Sequence, residues 1–177
     1  MEFSELVEGR RSVRAYKESV VTEEEIEKIV LCAQNAPSWK NSQTARYYVA
    51  HSAAAIEAVR ACLPEYNRNN TRSVGAYIVT AFVARRSGFE RDGSPTNELG
   101  DGWGAYDLGL SNMLLLLKAK ESGLDTLVMG LRDEAGLRRF FGVPESEKIV
   151  SVIALGKGAL SPEKPPRREI GEILKIR

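Results

Sequence analysis

Residues 76–84 read AYIVTAFVA, a nearly continuous run of β-branched, aromatic and small apolar residues. Such a run, without the polar alternation of a half-exposed strand, is typical of a central strand buried on both faces. Residues 149–155, IVSVIAL, repeat the pattern, and shorter β-rich runs occur at residues 46–51 and 126–129. A buried strand needs a sheet around it, so we expect a mixed central sheet of about four to five strands.

Helical patterns surround these strands. The clearest helix begins at Thr22, which can form a capping box with Glu25, and it ends before Pro37. Residues 104–122 form a second helix, apolar nearly all round, which we expect to be buried within the domain or against a partner subunit. Further helices are predicted over residues 3–8, 53–63 and 133–141.

The order of these elements predicts the fold class. Strands and helices do not alternate strictly, which indicates an α+β fold with helices packed on the sheet. The length of 177 residues suits one domain over 1–177. Within it, the stretch rich in Pro, Lys and Arg at about 157–177 is expected to be a C-terminal arm.

Composition argues against several classes of function. The net charge of +1 gives no overall attraction to nucleic acid or to an anionic membrane. The longest apolar run, Met113 to Leu117, is too short to span a bilayer. The N-terminus has no apolar leader, so we expect a cytoplasmic protein in which Cys32 and Cys62 are reduced thiols. No spacing indicates a metal site.

The first candidate site is the basic stretch RRSVR at residues 10–14. In an extended conformation, Arg10, Ser12 and Arg14 point to one side at a period of two. Two guanidiniums and a hydroxyl suit a phosphate group, because arginine binds phosphate oxygens through bidentate, charge-assisted hydrogen bonds. The alternative for this stretch is a solvated basic turn.

The second candidate is the loop APSWKNSQ, residues 36–43, between the capped helix and a strand. Ser38, Asn41 and Gln43 offer both donors and acceptors. A ring system with alternating carbonyl and N–H groups would require that mixture. The alternative is a polar connector whose side chains satisfy its own backbone.

Two further stretches are weaker candidates. Gly130 follows Met129 at the end of a short predicted strand, where a glycine lets the backbone approach a ligand closely. Residues 165–168, PPRR, could form a second phosphate clamp. A simple turn and a solvated tail are the respective alternatives.

The usual catalytic signatures are missing from the sequence. With one histidine, His51, and no G-x-S-x-G elbow, the chain does not support a serine or cysteine triad. No G-x-G-x-x-G motif follows a strand, and there is no P-loop. Gly100, Gly102 and Gly104 follow a polar loop and are interpreted as flexibility of a lid. A bound cofactor would supply the chemistry that such side chains lack.

Four motifs occur in one order along the chain: RRSVRAY, APSWKNSQ, a helix ending in ESGLDT and followed by MG, and a terminal PPRREIGEIL. Together with FFGVPESEKIVSVIALGKG, they resemble the nitroreductase family of FMN-dependent oxidoreductases over nearly the whole chain. The resemblance implies a homodimer of an α+β sandwich with arms exchanged between subunits. It also implies that FMN binds at the dimer interface, in contact with both chains.

The resemblance assigns FMN-binding residues by position. It places the phosphate and ribityl chain on the first motif, the flavin ring on the second, and flavin N5 beside the backbone after the third. Arg167 best matches the C-terminal phosphate-binding arginine, and Arg168 is the alternative one position along. The cofactor-binding residues so implied are Arg10, Arg11, Ser12, Arg14, Pro37, Ser38, Asn41, Met129, Gly130, and Arg167 or Arg168.

The chain departs from the family pattern at three places. Pro165 stands where a second basic residue is frequent, which implies a weaker phosphate grip. Asn67 or Asn70 could replace a flavin-contacting asparagine, and the sequence leaves the choice open. The polar loop at 86–102 is not assigned by the resemblance, so the choice of acceptor does not carry over from the family.

The resemblance implies a ping-pong reaction, in which NADH or NADPH reduces FMN and a nitroaromatic, quinone-like or other small electrophilic acceptor is reduced in turn. One alternative is a different flavin reaction on the same scaffold, such as dehydrogenation, dehalogenation or flavin fragmentation, because a fold does not fix a function. Another is a protein that stores or senses flavin without catalysis.

Overall fold

The computed structural model describes residues 2–177 and has the α+β architecture that the sequence predicts. In the described residues, the elements in chain order are α1 (Phe3–Gly9), α2 (Glu23–Ala33), a 3-10 turn (Trp39–Asn41), β1 (Ala45–Ala50), α3 (Ala53–Ala61), α4 (Glu65–Asn70), β2 (Ala76–Val83), α5 (Gly102–Glu121), β3 (Asp125–Met129), α6 (Glu134–Phe141), β4 (Glu147–Gly156) and α7 (Ile170–Ile173). The short helices α4 and α7 were not predicted.

The sheet has the strand order β1-β2-β4-β3. Its three ladders are all antiparallel, whereas a mixed sheet was predicted. The one parallel pairing recorded within residues 2–177 is an isolated bridge between Ser12 and Thr126. A run buried on both faces is usual for parallel sheets. Here it occurs in an antiparallel sheet, because helices cover both faces.

Each face of the sheet carries its own core. On one face α2 and α5 pack over the sheet, with Ile29, Leu115 and Ile153 among the fully buried side chains. On the other face Val59 of α3 and Leu137 of α6 belong to the second cluster. Strand β2 is buried along nearly its whole length, which confirms the prediction of a central strand.

The predicted helix boundaries have the expected physical causes. At α2, the side chain of Thr22 accepts a hydrogen bond from the N–H of Glu25 at 3.2 Å, and the carboxylate of Glu25 accepts one from the N–H of Thr22 at 2.8 Å. This reciprocal capping box satisfies two otherwise free donors of the first turn. Gly142 ends α6 with a φ of 65°, a left-handed conformation that glycine adopts without a Cβ penalty.

Helix α5 is less uniformly buried than predicted. Tyr106 and Met113 are exposed, whereas Leu108 and Leu115 are fully buried. Gly104 lies within this helix, whereas the sequence was interpreted as placing it in a flexible lid. A Cβ at this position would lie 2.3 Å from the Phe82 ring. The glycine therefore permits a close approach of α5 to β2. No helix of the described residues is both long enough and apolar enough to cross a membrane.

The N-terminal stretch runs along the outer edge of β3, where it positions the basic motif. The N–H of Val13 donates to the carbonyl of Thr126 at 3.0 Å. Further along, Tyr16 pairs with Gly158, and the N–H of Ala159 donates to the carbonyl of Ala15 at 2.9 Å. These bonds hold the beginning of the chain next to the start of the C-terminal arm.

Candidate functional site

The basic motif alternates as the sequence predicts. The side chain of Val13 is buried, at 1% exposure, while Ser12 and Arg14 on either side of it are exposed. Arg10 is half-buried. Because an extended chain directs alternate side chains to opposite faces, Val13 anchors the stretch in the core and leaves Ser12 and Arg14 available on the surface.

A groove of about 280 Å³ brings both predicted phosphate-binding stretches together. Arg10, Ser12 and Arg14 line it from the N-terminal side, and Pro165 and Arg167 line it from the C-terminal arm. Arg10, Arg14 and Arg167 form no ion pair within residues 2–177; Arg167 donates to the Pro165 carbonyl at 3.1 Å, and Arg14 to the Ser12 carbonyl at 3.4 Å. The groove therefore concentrates unpaired positive charge, although Glu163 and Lys164 also border it.

Arg11 and Arg168 differ from these three arginines. The guanidinium of Arg11 donates to the carbonyl of Pro162 at 3.2 Å and also to the carbonyls of Glu8 and Arg10. Arg11 lines the groove, but these bonds tie the two arms together. Arg168 instead pairs with Glu172 of α7 at 3.0 Å and is not among the lining residues.

The loop before β1 has an unusual backbone. Lys40, Asn41 and Gln43 have φ values of 47°, 54° and 49°, and a left-handed non-glycine residue costs about 1–3 kcal/mol. Within the loop, the N–H of Asn41 donates to the carbonyl of Ser38 and the N–H of Gln43 to its Oγ, both at 3.0 Å. Such strain persists only where the surroundings enforce it, and it is frequent at ligand sites.

A buried polar cluster next to this loop was missed by the sequence analysis. Asp107 of α5 accepts hydrogen bonds from the N–H of Trp39 at 3.0 Å and from the hydroxyl of Ser87 at 2.5 Å. Ser87 also contacts the hydroxyl of Ser42 at 2.6 Å. The signal in the sequence was an isolated acidic residue, Asp107, in a largely apolar helix. Because a buried carboxylate needs hydrogen-bond donors, this residue could have indicated a polar cluster.

The end of β3 offers an open stretch of backbone. The carbonyl of Thr126 bonds to Val13 outside the sheet, and antiparallel ladder bonds alternate along a strand. Val128 and Gly130 are two and four residues after Thr126, so their backbone N–H and C=O groups also point away from β4. Gly130 is exposed, with no atom within 4 Å of a Cβ built there. Met129, in contrast, is buried in the core.

Arg132 holds the peptide after Gly130 in place. Its guanidinium donates to the carbonyl of Gly130 at 2.8 Å and to the carbonyl of Ile149 on β4. The open backbone is thus fixed to the sheet, which suits a position meant to face a ligand.

The polar loop at 86–102 is pinned to the domain at several points. Asp101 accepts from the N–H of Arg85 at 2.6 Å and pairs with Lys148 of β4 at 2.7 Å. Burial acts to raise the pKa of this carboxyl, but the bonds from Lys148 and Arg85 hold it below its ordinary value. Trp103, just after the loop, packs its ring 4.7 Å from that of Trp39.

A single chain does not bring all the predicted FMN-binding residues together. The loop that carries Pro37, Ser38 and Asn41 enters β1 at one edge of the sheet, and Ser12 pairs with β3 at the other edge. Three strand spacings separate these edges, about 14 Å. In the strand register, Ala45 of β1 aligns with Lys148 of β4, whereas Thr126 of β3 aligns with Leu155 of β4. Lys148 and Leu155 are about 23 Å apart along β4, so the two sites are also separated in the strand direction.

The short helix α4 carries the two asparagines that the sequence offered as flavin contacts. Asn67 and Asn70, left open as flavin contacts, lie on the short helix α4, where the side-chain nitrogen of Asn70 is buried without a partner in the described residues. Over residues 2–177, no cluster of three or more His, Cys, Asp or Glu side chains could hold a metal ion.

Comparison with known proteins identifies the family. The model of the nitroreductase family matches residues 7–157. The chain belongs to the nitroreductase family. It is 29% identical over 187 aligned positions to YdgI of Bacillus subtilis (strain 168), named as a candidate NAD(P)H nitroreductase, with 89% of each chain covered. Family membership confirms the resemblance read from the four motifs.

Solved structures share the fold of this nitroreductase-family chain. A candidate nitroreductase from Exiguobacterium sibiricum 255-15, in complex with FMN, superimposes with a TM-score of 0.88 at 22% identity over 100% of this chain and 98% of its own. The enone reductase CLA-ER, of a gut-bacterial fatty acid saturation pathway, gives 0.87 at 19% identity over 99% and 97%. At such identities the likeness concerns the fold.

Proposed function

We propose that the chain is an FMN-dependent oxidoreductase that takes hydride from NADH or NADPH and reduces a small electrophilic acceptor, nitroaromatic or quinone-like, in ping-pong order. Membership of the nitroreductase family supports this, as does the FMN found in the Exiguobacterium relative. The single observation that carries it is the groove in which the unpaired guanidiniums of Arg10, Arg14 and Arg167 converge.

The residues present fit FMN. A phosphate dianion would meet three guanidiniums and the Ser12 hydroxyl in the groove, and charge-assisted bonds of this kind contribute about 1.5–3 kcal/mol each. Ser38 and Asn41 would supply donors and acceptors to the polar edge of the flavin ring. The exposed backbone at Gly130, where no atom lies within 4 Å of a Cβ position, would lie near flavin N5.

We further propose that two copies of the chain build each site. This follows from the separation of the ring-side loop, residues 37–43, and the groove lined by Arg10, Arg14 and Arg167, because the two lie at diagonally opposite corners of one sheet. In a homodimer with exchanged arms, the loop of one copy could meet the groove of the other. The exposed apolar residues of the arm support this assembly, notably Ile170, Ile173 and Ile176.

Bound FMN would supply the hydride chemistry, and the chain would supply binding, orientation and exclusion of water. No side chain in the described residues needs to act as a general acid or base in this scheme. Arg10, Arg14 and Arg167 would neutralise the phosphate, while the rigid β3 end would present a backbone donor. Cys32 and Cys62 are free, which fits the reducing cytoplasm that we propose as the location.

The test is an absorbance spectrum of the purified protein, recorded without oxygen before and after NADH or NADPH is added. A flavin spectrum that bleaches, and recovers when a quinone or nitroaromatic is added, supports the proposal. A flavin spectrum unaffected by either nicotinamide contradicts the NAD(P)H reaction, and a protein that binds no FMN contradicts the cofactor.

An activated carbon–carbon double bond is a second candidate acceptor. The fold match to the enone reductase CLA-ER favours testing it. Reoxidation of the reduced protein by an enone faster than by a quinone at equal concentration would select this alternative.

A further inference from the structure

The ring-side loop, residues 37–43, is held in place by groups that lie far from it in the sequence. We propose that Asp107 is the positioning residue of this loop, acting through Ser87 and Ser42 so that Ser38 and Asn41 are set to meet the flavin ring. The inference rests on the proposed function and deepens it, since it names what fixes the ring-binding half of the site.

Asp107 is a buried carboxylate, 5% exposed. Within residues 2–177 it has no lysine, arginine or histidine in ion-pair range, so its charge is balanced by hydrogen-bond donors. These are the Trp39 N–H and the Ser87 hydroxyl, both bound to the same oxygen, Oδ2. A buried charge without a counter-ion is costly unless donors surround it, so the groups around Asp107 are strongly constrained to keep these bonds.

The carboxylate also sets the direction of the chain of hydroxyls. An ionised carboxylate only accepts, and a serine hydroxyl has one proton. Ser87 gives its proton to Asp107, so the contact between Ser42 and Ser87 must be donated by Ser42. Asp107 thus holds the loop at Trp39 on one side and, through Ser87, at Ser42 on the other. Between these two points lie the left-handed residues Lys40 and Asn41.

The loop depends on this anchor because most of its other hydrogen bonds are internal; outside it, Arg46 of β1 donates to the carbonyl of Gln43 at its C-terminal end. The bonds that join Asn41 and Gln43 to Ser38 shape the turn but do not attach it to the domain. Lys40 contacts Glu90 of the neighbouring polar loop at 3.5 Å, but both side chains are exposed, and such pairs contribute little. The loop is attached to helix α5 by the ring packing of Trp39 on Trp103 and by hydrogen bonds, and the hydrogen bonds are those of Asp107.

The experiment measures the dissociation constants of FMN and riboflavin for Asp107→Ala, Asp107→Asn and Ser87→Ala, on protein freed of flavin. Riboflavin has the ring but lacks the phosphate. We expect Asp107→Ala to weaken both ligands by the same factor, about tenfold or more, because bonds to a charged group are lost. Ser87→Ala keeps the Trp39 bond and should have a smaller effect. Asp107→Asn should lie between wild type and alanine, since its amide oxygen still accepts.

Ser151→Ala is the matched control. It removes a buried hydroxyl that bonds to Thr80 at 2.8 Å within the sheet and has no bond to the loop. We expect both dissociation constants to stay at the wild-type value in this variant, even where its melting temperature falls. The near-UV circular dichroism of the Trp39–Trp103 pair should change in Asp107→Ala and stay unchanged in Ser151→Ala.

The outcomes separate this inference from the proposed function. Wild-type protein that binds neither flavin overturns the proposed function, and the inference with it. Normal wild-type binding, with unchanged constants in both Asp107→Ala and Ser87→Ala, overturns the inference alone. So does a loss confined to FMN, which points to the phosphate side, or an equal loss in Ser151→Ala. If Asp107→Ala does not fold, the dissociation constants of Asp107→Asn and Ser87→Ala decide.

Discussion

Strand β2 and the C-terminal arm both contain isoleucine, but its side chain is buried in the strand and exposed in the arm. Ile78 of β2 is 0% exposed, whereas Ile173 and Ile176 of the arm are 67% and 84% exposed. The strand is covered by helices of its own chain on both faces. The arm leaves its apolar side chains in water and carries an unpaired arginine, Arg167. The core therefore buries its apolar residues within its own chain, whereas the arm leaves them exposed, which supports the proposed exchange of arms between two copies.

The largest effect is expected when exposed apolar residues of the arm are made acidic. We expect Ile170→Glu with Ile173→Glu to convert the proposed dimer into single chains of 19.5 kDa. Each apolar side chain buried at an interface contributes about 1.5–3 kcal/mol, and two copies would lose two each. Light scattering after size-exclusion chromatography measures the mass, and the variant should also lose FMN.

Val20→Glu is the control for that variant, because Val20 is as exposed as the arm residues but lies outside the arm. It should keep the mass of the wild type. Two chains per particle in the arm variant, or one chain in the wild type, would contradict the exchanged-arm dimer.

The second prediction concerns the charge at the arms. Arg10→Ala with Arg14→Ala should raise the dissociation constant of FMN by about a hundredfold or more, because two charge-assisted bonds of about 1.5–3 kcal/mol each are lost. Riboflavin binding should change little. Titration of both ligands by flavin fluorescence measures the difference.

Arg91→Ala with Arg139→Ala removes the same amount of charge from two exposed arginines that lie outside the groove. Its FMN affinity should equal that of the wild type. Equal losses in the two double variants would mean that net charge, rather than the groove, governs binding.

The third prediction concerns the core. Ile153→Ala, at a residue of β4 that is 0% exposed, should lower the free energy of unfolding by about 2–5 kcal/mol, because it leaves a cavity in a packed core. Urea denaturation measures the loss. Under conditions where the protein stays folded, FMN affinity should not change, so the core and the arms would fail independently. A loss below about 1 kcal/mol would show that the core can collapse around the gap.

The smallest expected effect is a loss of stability of the core at high pH. Burial raises the pKa of Tyr47, on β1, to about 12. The folded chain therefore keeps this proton up to a higher pH than the unfolded chain, whose tyrosines ionise near pH 10. Stability should be unaffected below about pH 10 and should fall between about pH 10 and pH 12. The arm, residues 157–177, contains no tyrosine.

Tyr47→Phe should make this fall smaller, as measured by urea denaturation at pH 8 and pH 11. Part of the fall should remain, because burial also raises the pKa of Tyr16, Tyr48 and Tyr77. Tyr66→Phe, at an exposed tyrosine of α4, is the matched control and should keep the slope of the wild type. A Tyr47→Phe slope equal to that of the wild type would contradict the assignment to Tyr47.

Local sequence was sufficient for most elements, because their causes lie within a few residues. The capping box of Thr22 and Glu25, the cap of Asp133 and the apolar run of β2 all act over a turn or a strand. Helices α4 and α7 were missed because they are single short segments with no buried stripe of their own. The family resemblance likewise depended on motifs that are each continuous in the sequence.

The features that could not be predicted from local sequence involve residues far apart along the chain. The α+β class, the buried strands and the alternation of Ser12, Val13 and Arg14 were predictable from the sequence, since periodicity is a local property. The fold alone decided that the sheet is antiparallel and that Arg11 ties the arms while Arg10 and Arg14 stay free. It also decided that Asp107 meets Trp39 and Ser87. These contacts depend on how loops of tens of residues close, and no local pattern encodes that closure.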